Sequence, residues 1–361
     1  MDRIKPITAT KYMVVSPETI RTVEHIIDEV PDGHILVRPL LTGICQSDLR
    51  YYFGRRNPEV LKKRYPLCLL HEGIAEVVES NNKFKKGQKV VIIPNIPCYI
   101  HKSPADKCAS CESHASENYC LDVKFMSSNC DGMAQTYFLQ PAECALPVPE
   151  TVPDEIAVLA ELLTVTYRAS IEANITEKDK VAVFGCGPTG YLMAALLHFG
   201  KKIEKARLFI IDVSDKKLSH AKDFATTINA DKDKMPEEMS FDKAFECVGR
   251  QSSEIAIDNA LKLLKPKGTL VLLGVSEEKR AVMTRVILDK GLTIKGTSRS
   301  PRQDYPPILS LMKNKPFQKA LFKIICSERF IIRSKEDLAA AFNKADSPEH
   351  YGKVLVEWGE E

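Results

Sequence analysis

The seventeen-residue stretch Val181–Leu197, VAVFGCGPTGYLMAALL, constrains the fold more than any other part of the chain. A short apolar run, VAVF, has the form of a buried strand. It ends at Gly185, and Gly185, Gly187 and Gly190 form a G-x-G-x-x-G turn that runs directly into an apolar helical segment. The first glycine permits a tight turn, the second lets backbone approach a pyrophosphate, and the third lets helix and strand pack closely. Amides at the start of such a helix attract phosphate charge. A second apolar run, ARLFIID, follows and ends in Asp212, at about the 20-residue spacing of a ribose-binding carboxylate. A nucleotide-binding α/β unit is therefore expected here.

Around this stretch, strand-like segments at 181–184, 207–212, 243–247, 269–273 and 292–295 alternate with helical ones, the pattern of a parallel sheet covered on both faces. Residues 1–154 have another texture. Short β-type runs such as HILVRPLLTGI, GIAEVVES and KVVIIP alternate with Gly, Asn and Pro turns, which predicts a compact, partly open barrel. Residues 155–297 form the expected nucleotide-binding domain, and 298–361 are expected to return to the first domain. That last part carries helices near 305–314 and 335–345 and the strand GKVLVEW.

Composition excludes several classes. A net charge of +3 with acids and bases interspersed gives no nucleic-acid tract or polybasic membrane patch. No apolar run reaches the 18 or more residues of a membrane span, and MDRIKPITATKYMVV lacks a signal peptide's apolar core. A cytoplasmic protein is expected. In a reducing compartment, the eleven cysteines are read as ligands or buried thiols rather than disulfides.

Cys45, His71, Glu72 and Glu161 come from three separate segments and carry the donor types that suit tetrahedral zinc. With G-I-C-Q-S-D-L at 43–49, H-E-G at 71–73, the FKKGQKVV turn, Asp131-Gly132, Glu161 and the glycine loop, the chain resembles the zinc-dependent medium-chain dehydrogenase/reductase family in its polyol dehydrogenase branch. The resemblance runs from end to end. It implies a GroES-like β-barrel catalytic domain joined to a Rossmann doubly wound domain. It implies catalytic zinc at Cys45, His71 and Glu72, with Glu161 completing the shell directly or through water, and proton relay at Ser47. It also implies NAD(P) contacts from Gly185, Gly187, Pro188, Thr189, Gly190, Asp212, Lys217, Cys247, Val248, Gly274 and Val275.

Cys98, Cys108, Cys111 and Cys120 resemble the family's structural zinc lobe, here spanning 98–120. The gap YIHKSPADK between the first two is longer than the family's, which leaves open a metal-free lobe or one using His101 or His114. RYYFGRR at 50–56, FDKAFECVGRQSSEIAIDNAL at 241–261, LLGVSEE at 272–278 and TRVILDKGLTIKGTSRSPRQDY at 284–305 resemble the ribitol-5-phosphate dehydrogenase group. This implies a sugar-phosphate substrate, with Arg50, Tyr51, Arg55 and Arg299 as candidate contacts, because guanidinium forks pair with phosphate oxygens. Asp212 favours NAD, whereas the group resemblance favours NADP. An unphosphorylated polyol such as sorbitol or xylitol is the alternative substrate. A non-catalytic dinucleotide binder is the alternative class. The family resemblance further implies a homo-oligomer, dimer or tetramer.

Overall fold

The computed structural model describes residues 2–359 apart from 81–82, 104, 106, 113–116 and 348–349. The chain divides into two compact units: Met1–Glu161 with Ser300–Lys313 and Ile325–Glu361, and Leu162–Arg299 with Asn314–Ile324.

The first unit is built on the strand His34–Gly43, whose Ile35, Leu36 and Val37 are fully buried. It pairs antiparallel with Glu72–Ser80, with Phe138–Pro141 and with the far strand Lys353–Trp358. A long hairpin, Asp2–Ser16 with Thr19–Val30, forms a separate three-stranded sheet with Leu67–Cys68. GKVLVEW thus returns to the first unit and lies parallel to Ile325–Ile332.

Register in this sheet decides what meets. Gly43 stands opposite both Glu72 and Leu355, so the ends of three strands converge next to Cys45. A Cβ at Gly43 would lie 3.2 Å from a Glu72 carboxylate oxygen and 3.3 Å from the Lys353 stem. Asp131-Gly132 gains a physical meaning as well. A Cβ at Gly132 would come within 2.2 Å of the Leu70 carbonyl oxygen, so only glycine lets this loop lie on the backbone just before His71. Hydrogen bonds from Gly132 N to Cys68 O (2.9 Å) and from Met133 N to Leu70 O (2.7 Å) fix it there.

The second unit is a six-stranded parallel sheet in the order Thr226–Asn229, Leu208–Asp212, Val181–Phe184, Phe241–Glu246, Leu264–Leu272, Thr293–Gly296. The chain leaves Val181–Phe184 first to one side and then to the other, which makes this strand the topological switch point where α/β sheets bind ligands. The glycine loop sits at its C-terminal end, followed by the helix Pro188–Phe199. The strand Thr226–Asn229 is absent from the sequence reading, because TTIN is short and carries too little apolar signal.

The expected helix near 305–314 is Tyr305–Leu311, and a second, unexpected helix, Lys315–Phe322, follows it. The second packs with the nucleotide unit rather than the first. Phe317 is fully buried against Phe199, and the Tyr191 hydroxyl donates to Ala320 O at 2.8 Å.

Gly190 is the tightest point of the loop: a Cβ there would be 1.8 Å from Gly185 O. Gly190→Ala should cost about 3 kcal/mol or more, because the obstacle is backbone that cannot step aside. It should also abolish NAD(P)H binding. Urea unfolding and a nucleotide titration check this; a variant binding the dinucleotide normally would contradict the close approach.

Candidate active site

The candidate site grows from Asp48, which is fully buried. Cys45 is the N-cap of the helix Gln46–Tyr52, and its amide donates to Asp48 Oδ2 at 2.9 Å. The other oxygen, Oδ1, accepts from Leu70 N at 3.1 Å and from the Ser127 hydroxyl, and faces His71 Nδ1 at 3.3 Å. One carboxylate thus ties together three segments distant in sequence. Burial alone would raise the Asp48 carboxyl, but the His71 ring and the donated bonds bring it below its ordinary value. Burial alone would lower His71, but Asp48 and Cys45 together hold it well above the usual imidazole range. With Nδ1 turned to Asp48, Nε2 is the ring nitrogen left for a ligand.

Cys45, His71 and Glu72 offer a sulfur, a ring nitrogen and a carboxylate oxygen that all lie within 4.8 Å of one another. Glu72 is fully buried, and Lys353 Nζ approaches its two oxygens at 2.8 and 2.7 Å. Lys353 is itself buried and also donates to Ile44 O at 3.2 Å. Burial lowers its ammonium, but Glu72, with Cys45 and Glu161, raises it above the ordinary value. This mixed set of soft and hard donors, closely grouped and mostly buried, fits tetrahedral zinc. Glu161 lies outside the three-residue group. It is buried in the first turn of the helix Ala160–Glu172, where burial pushes its carboxyl up to about 7.

The four lobe cysteines also converge, with all four sulfurs within 4.8 Å of one another. Backbone amides point at the sulfurs: Cys98 N at Cys120 (3.3 Å), Cys108 N at Cys98 (3.3 Å) and Leu121 N at Cys108 (3.4 Å). Bonds from the Cys111 and Leu121 backbone bring the Cys108 thiol down to about 6, whereas burial raises the Cys111 and Cys120 thiols. Four sulfurs with no gap in the set suit a closed structural zinc site. His101 is turned to Asp122 O at 2.7 Å, away from a ligand role. His114 lies outside the described residues. The lobe is anchored by Arg302, which donates to Glu117 (3.1 Å), to the Tyr99 hydroxyl (2.8 Å) and to Glu143 (2.7 Å).

In the nucleotide unit, Asp212 ends its strand but its carboxylate is turned to the backbone. Oδ2 accepts from Cys186 N in the glycine loop at 2.6 Å, and Oδ1 accepts from Ser214 N at 2.9 Å. Pro188 is in the first turn of the loop's helix, followed by Thr189. Lys217 donates its amide to Ser214 Oγ at 3.4 Å. Cys247 abuts Gly185, and Gly249 abuts Val275 and Gly274, which joins the two candidate cofactor turns. Sequence reasoning missed Glu246, the buried carboxylate beneath both. It accepts from Val248 N and Gly249 N at 2.8 Å each, and a Cβ at Gly274 would lie 2.5 Å from it.

The candidate substrate residues divide. Tyr51 is buried and Arg50 half-buried on the Gln46–Tyr52 helix. Arg55 is instead committed to Asp346 through two bonds of 2.7 Å, so its fork is already matched to a carboxylate. Arg299 holds a left-handed backbone with φ +60°, a strained conformation for a non-glycine residue. Arg56, the last residue of RYYFGRR, donates from Nη2 to Ser47 Oγ at 2.8 Å. Lys353 had no sequence signal at all. Asp48 had one, its place three residues after an N-cap.

Comparison with known proteins agrees with this geometry. Residues 31–150 match the alcohol dehydrogenase GroES-like domain, and residues 196–314 match the zinc-binding dehydrogenase family. Ribulose-5-phosphate reductase 1 of Staphylococcus aureus is 35% identical, covering 96% of this chain and 98% of its own. Ribulose-5-phosphate reductase of Bacillus spizizenii is 34% identical, covering 91% and 93%. The crystal structure of S. aureus TarJ in complex with NADPH superposes with a TM-score of 0.80 at 31% identity, covering 98% of this chain and all of that one.

Lys353→Met should destabilise the protein by about 3–5 kcal/mol, because it strands the Glu72 charge in a buried site. Adding Glu72→Gln should recover part of that loss. Urea unfolding of the wild type, both single variants and the double variant gives the coupling; strictly additive losses would mean the pair is not coupled.

Proposed function

This chain belongs to the zinc-dependent medium-chain dehydrogenase/reductase family, and on that premise we propose that it moves a hydride between NAD(P)(H) and a pentitol phosphate/ketopentose phosphate pair. The reaction is the reduction of ribulose 5-phosphate to ribitol 5-phosphate. The observation that carries this reading is the end-to-end similarity to ribulose-5-phosphate reductases at up to 35% identity. The grouped Cys45, His71 and Glu72 support it.

Cys45, His71 and Glu72 would hold the catalytic zinc, with Glu161 completing the shell directly or through water. When bound, zinc supplies a Lewis acid that polarises the substrate carbonyl. The rest of the chemistry belongs to the chain. Asp48 fixes the His71 tautomer and ring orientation, and Lys353 balances the Glu72 charge. When bound, the nicotinamide would supply a hydride equivalent for the substrate carbonyl carbon, and a proton would complete the alcohol. Ser47 takes part in relaying that proton. The glycine loop, Lys217 and the turns at Cys247-Val248 and Gly274-Val275 hold the dinucleotide.

NAD and NADP both remain in play. Asp212 is the acid that reads an NAD ribose, yet its oxygens already accept loop amides. The four lobe cysteines hold a second, structural zinc. Arg50, Tyr51 and Arg299 contact the substrate. An unphosphorylated polyol is the second reading, favoured by the loss of Arg55 to Asp346.

The working form is a homo-oligomer in the cytoplasm. Cysteines used as metal ligands and buried thiols suit a reducing compartment. Among the described residues, no helix is long and apolar enough to cross a membrane.

Steady-state kinetics with NADH and NADPH side by side test the substrate. Ribulose 5-phosphate should exceed ribulose in kcat/KM by about 10–100-fold, the worth of one or two charge-assisted contacts. Equal values would remove the phosphate from the reading. Cys45→Ala should abolish turnover while leaving the NAD(P)H Kd within about threefold, since the nucleotide loop belongs to the other unit. Metal analysis should return two zinc ions per chain. A preparation fully active after zinc removal would end the Lewis-acid mechanism.

A further inference from the structure

Arg56 follows the Gln46–Tyr52 helix, and its guanidinium is held from two sides. Its carbon lies 4.2 Å over the Tyr51 ring, and Nη2 donates to Ser47 Oγ at 2.8 Å. The platform is itself fixed. Tyr51 is buried, its carbonyl accepts from the Tyr65 hydroxyl, and its own hydroxyl is 3.4 Å from Ser128 Oγ. The neighbouring Arg55 faces elsewhere, onto Asp346. Arg56 is therefore seated against the helix that begins at Cys45, with a defined partner.

A guanidinium has five donors and no acceptor, and it stays charged in proteins. Ser47 Oγ must be the acceptor in this bond, so the Ser47 hydrogen is directed away from Arg56. A serine placed between a substrate oxygen and a base can relay a proton. A serine bonded to arginine can pass none to that partner.

We propose that Arg56 is a positioning residue for the reaction: it occupies one lone pair of Ser47 and so fixes the Ser47 hydroxyl as a hydrogen-bond donor to the substrate oxygen. It rests on the reading that Ser47 faces the substrate. No new bond-making step is involved. Hydride addition to the carbonyl carbon leaves the electron pair on oxygen, where the Ser47 hydroxyl and the Arg56 charge behind it stabilise it. The proton that completes the alcohol comes from water and does not travel through Arg56.

Two measurements test this on the zinc-loaded enzyme. The first is kcat and KM for ribulose 5-phosphate in wild type, Arg56→Gln and Arg56→Lys. Removing one donor aimed at a developing oxyanion costs about 10²–10³ in kcat. Acting one residue removed, Arg56→Gln should lower kcat by about 10–100-fold with KM within about threefold. Arg56→Lys, which keeps a charged donor, should recover most of it. A KM raised tenfold with kcat retained would make Arg56 a phosphate contact instead, and unchanged kinetics would make it a solvated charge; either overturns the proposal.

The second measurement needs no substrate. Cys45 alkylation by iodoacetate relative to iodoacetamide, read by peptide mass spectrometry, reports positive charge at the site. That ratio should fall by about tenfold in Arg56→Gln, and an unchanged ratio overturns the proposal. If wild type leaves ribulose 5-phosphate untouched, the substrate reading fails, while the alkylation ratio still decides the role of Arg56.

Discussion

The arrangement at the candidate site depends on how a fully buried carboxyl group, Glu72, is paired. Taking a carboxylate out of water costs several kcal/mol even after relaxation. Lys353 offsets this at 2.7–2.8 Å from both oxygens, and a few residues away Asp48 does the reciprocal service for His71. The two pairs have opposite polarity: a basic partner serves the acidic donor and an acidic partner serves the basic one. Each supplies a counter-charge that a metal-binding cluster needs whether or not the ion is in place. The strand register that sets Gly43 opposite Glu72 and Leu355 is what makes the first pair possible, and Gly43 itself leaves room for it.

Legibility in the sequence followed distance along the chain. The glycine loop could be read at once, because strand, turn and helix lie within one continuous segment and each glycine has a local steric reason. Gly190 shows that reason most directly, with the Gly185 carbonyl where its Cβ would be. Cys45, His71 and Glu72 were recognisable only through family resemblance, since nothing local predicts that three segments will meet. Lys353 escaped altogether: a lysine before an apolar strand reads as a solvated charge, and its burial comes from pairing with a strand 300 residues earlier. The same blindness to partners made Arg55 look available when Asp346 holds it. Thr226–Asn229 was missed for the opposite reason, as a strand defined by its neighbour more than by its own residues.

The two glycines that look alike in a motif scan do different physical work. Gly190 brings a helix down on a strand end, whereas Gly132 lays a loop across the carbonyls of Leu69 and Leu70. The first shapes a nucleotide seat. The second fixes the peptide from which His71 projects, and so belongs with the donors although it carries no side chain. Carboxylates play a parallel part in both units. Asp48, Asp212 and Glu246 each collect backbone amides, and each thereby sets the path of a loop that the chemistry needs.

The bond between Lys353 and Glu72 spans 281 positions of chain. A ribosome adding about 5–20 residues per second would take roughly 14 to 56 seconds between making the acid and making its counter-ion. Throughout that interval the Glu72 carboxylate cannot be buried at its native cost, while the nucleotide unit, apart from Asn314–Ile324, emerges as one continuous stretch and has its sheet complete. The half of the molecule translated first is therefore the half that finishes last, and its final strand acts as the bolt that shuts it.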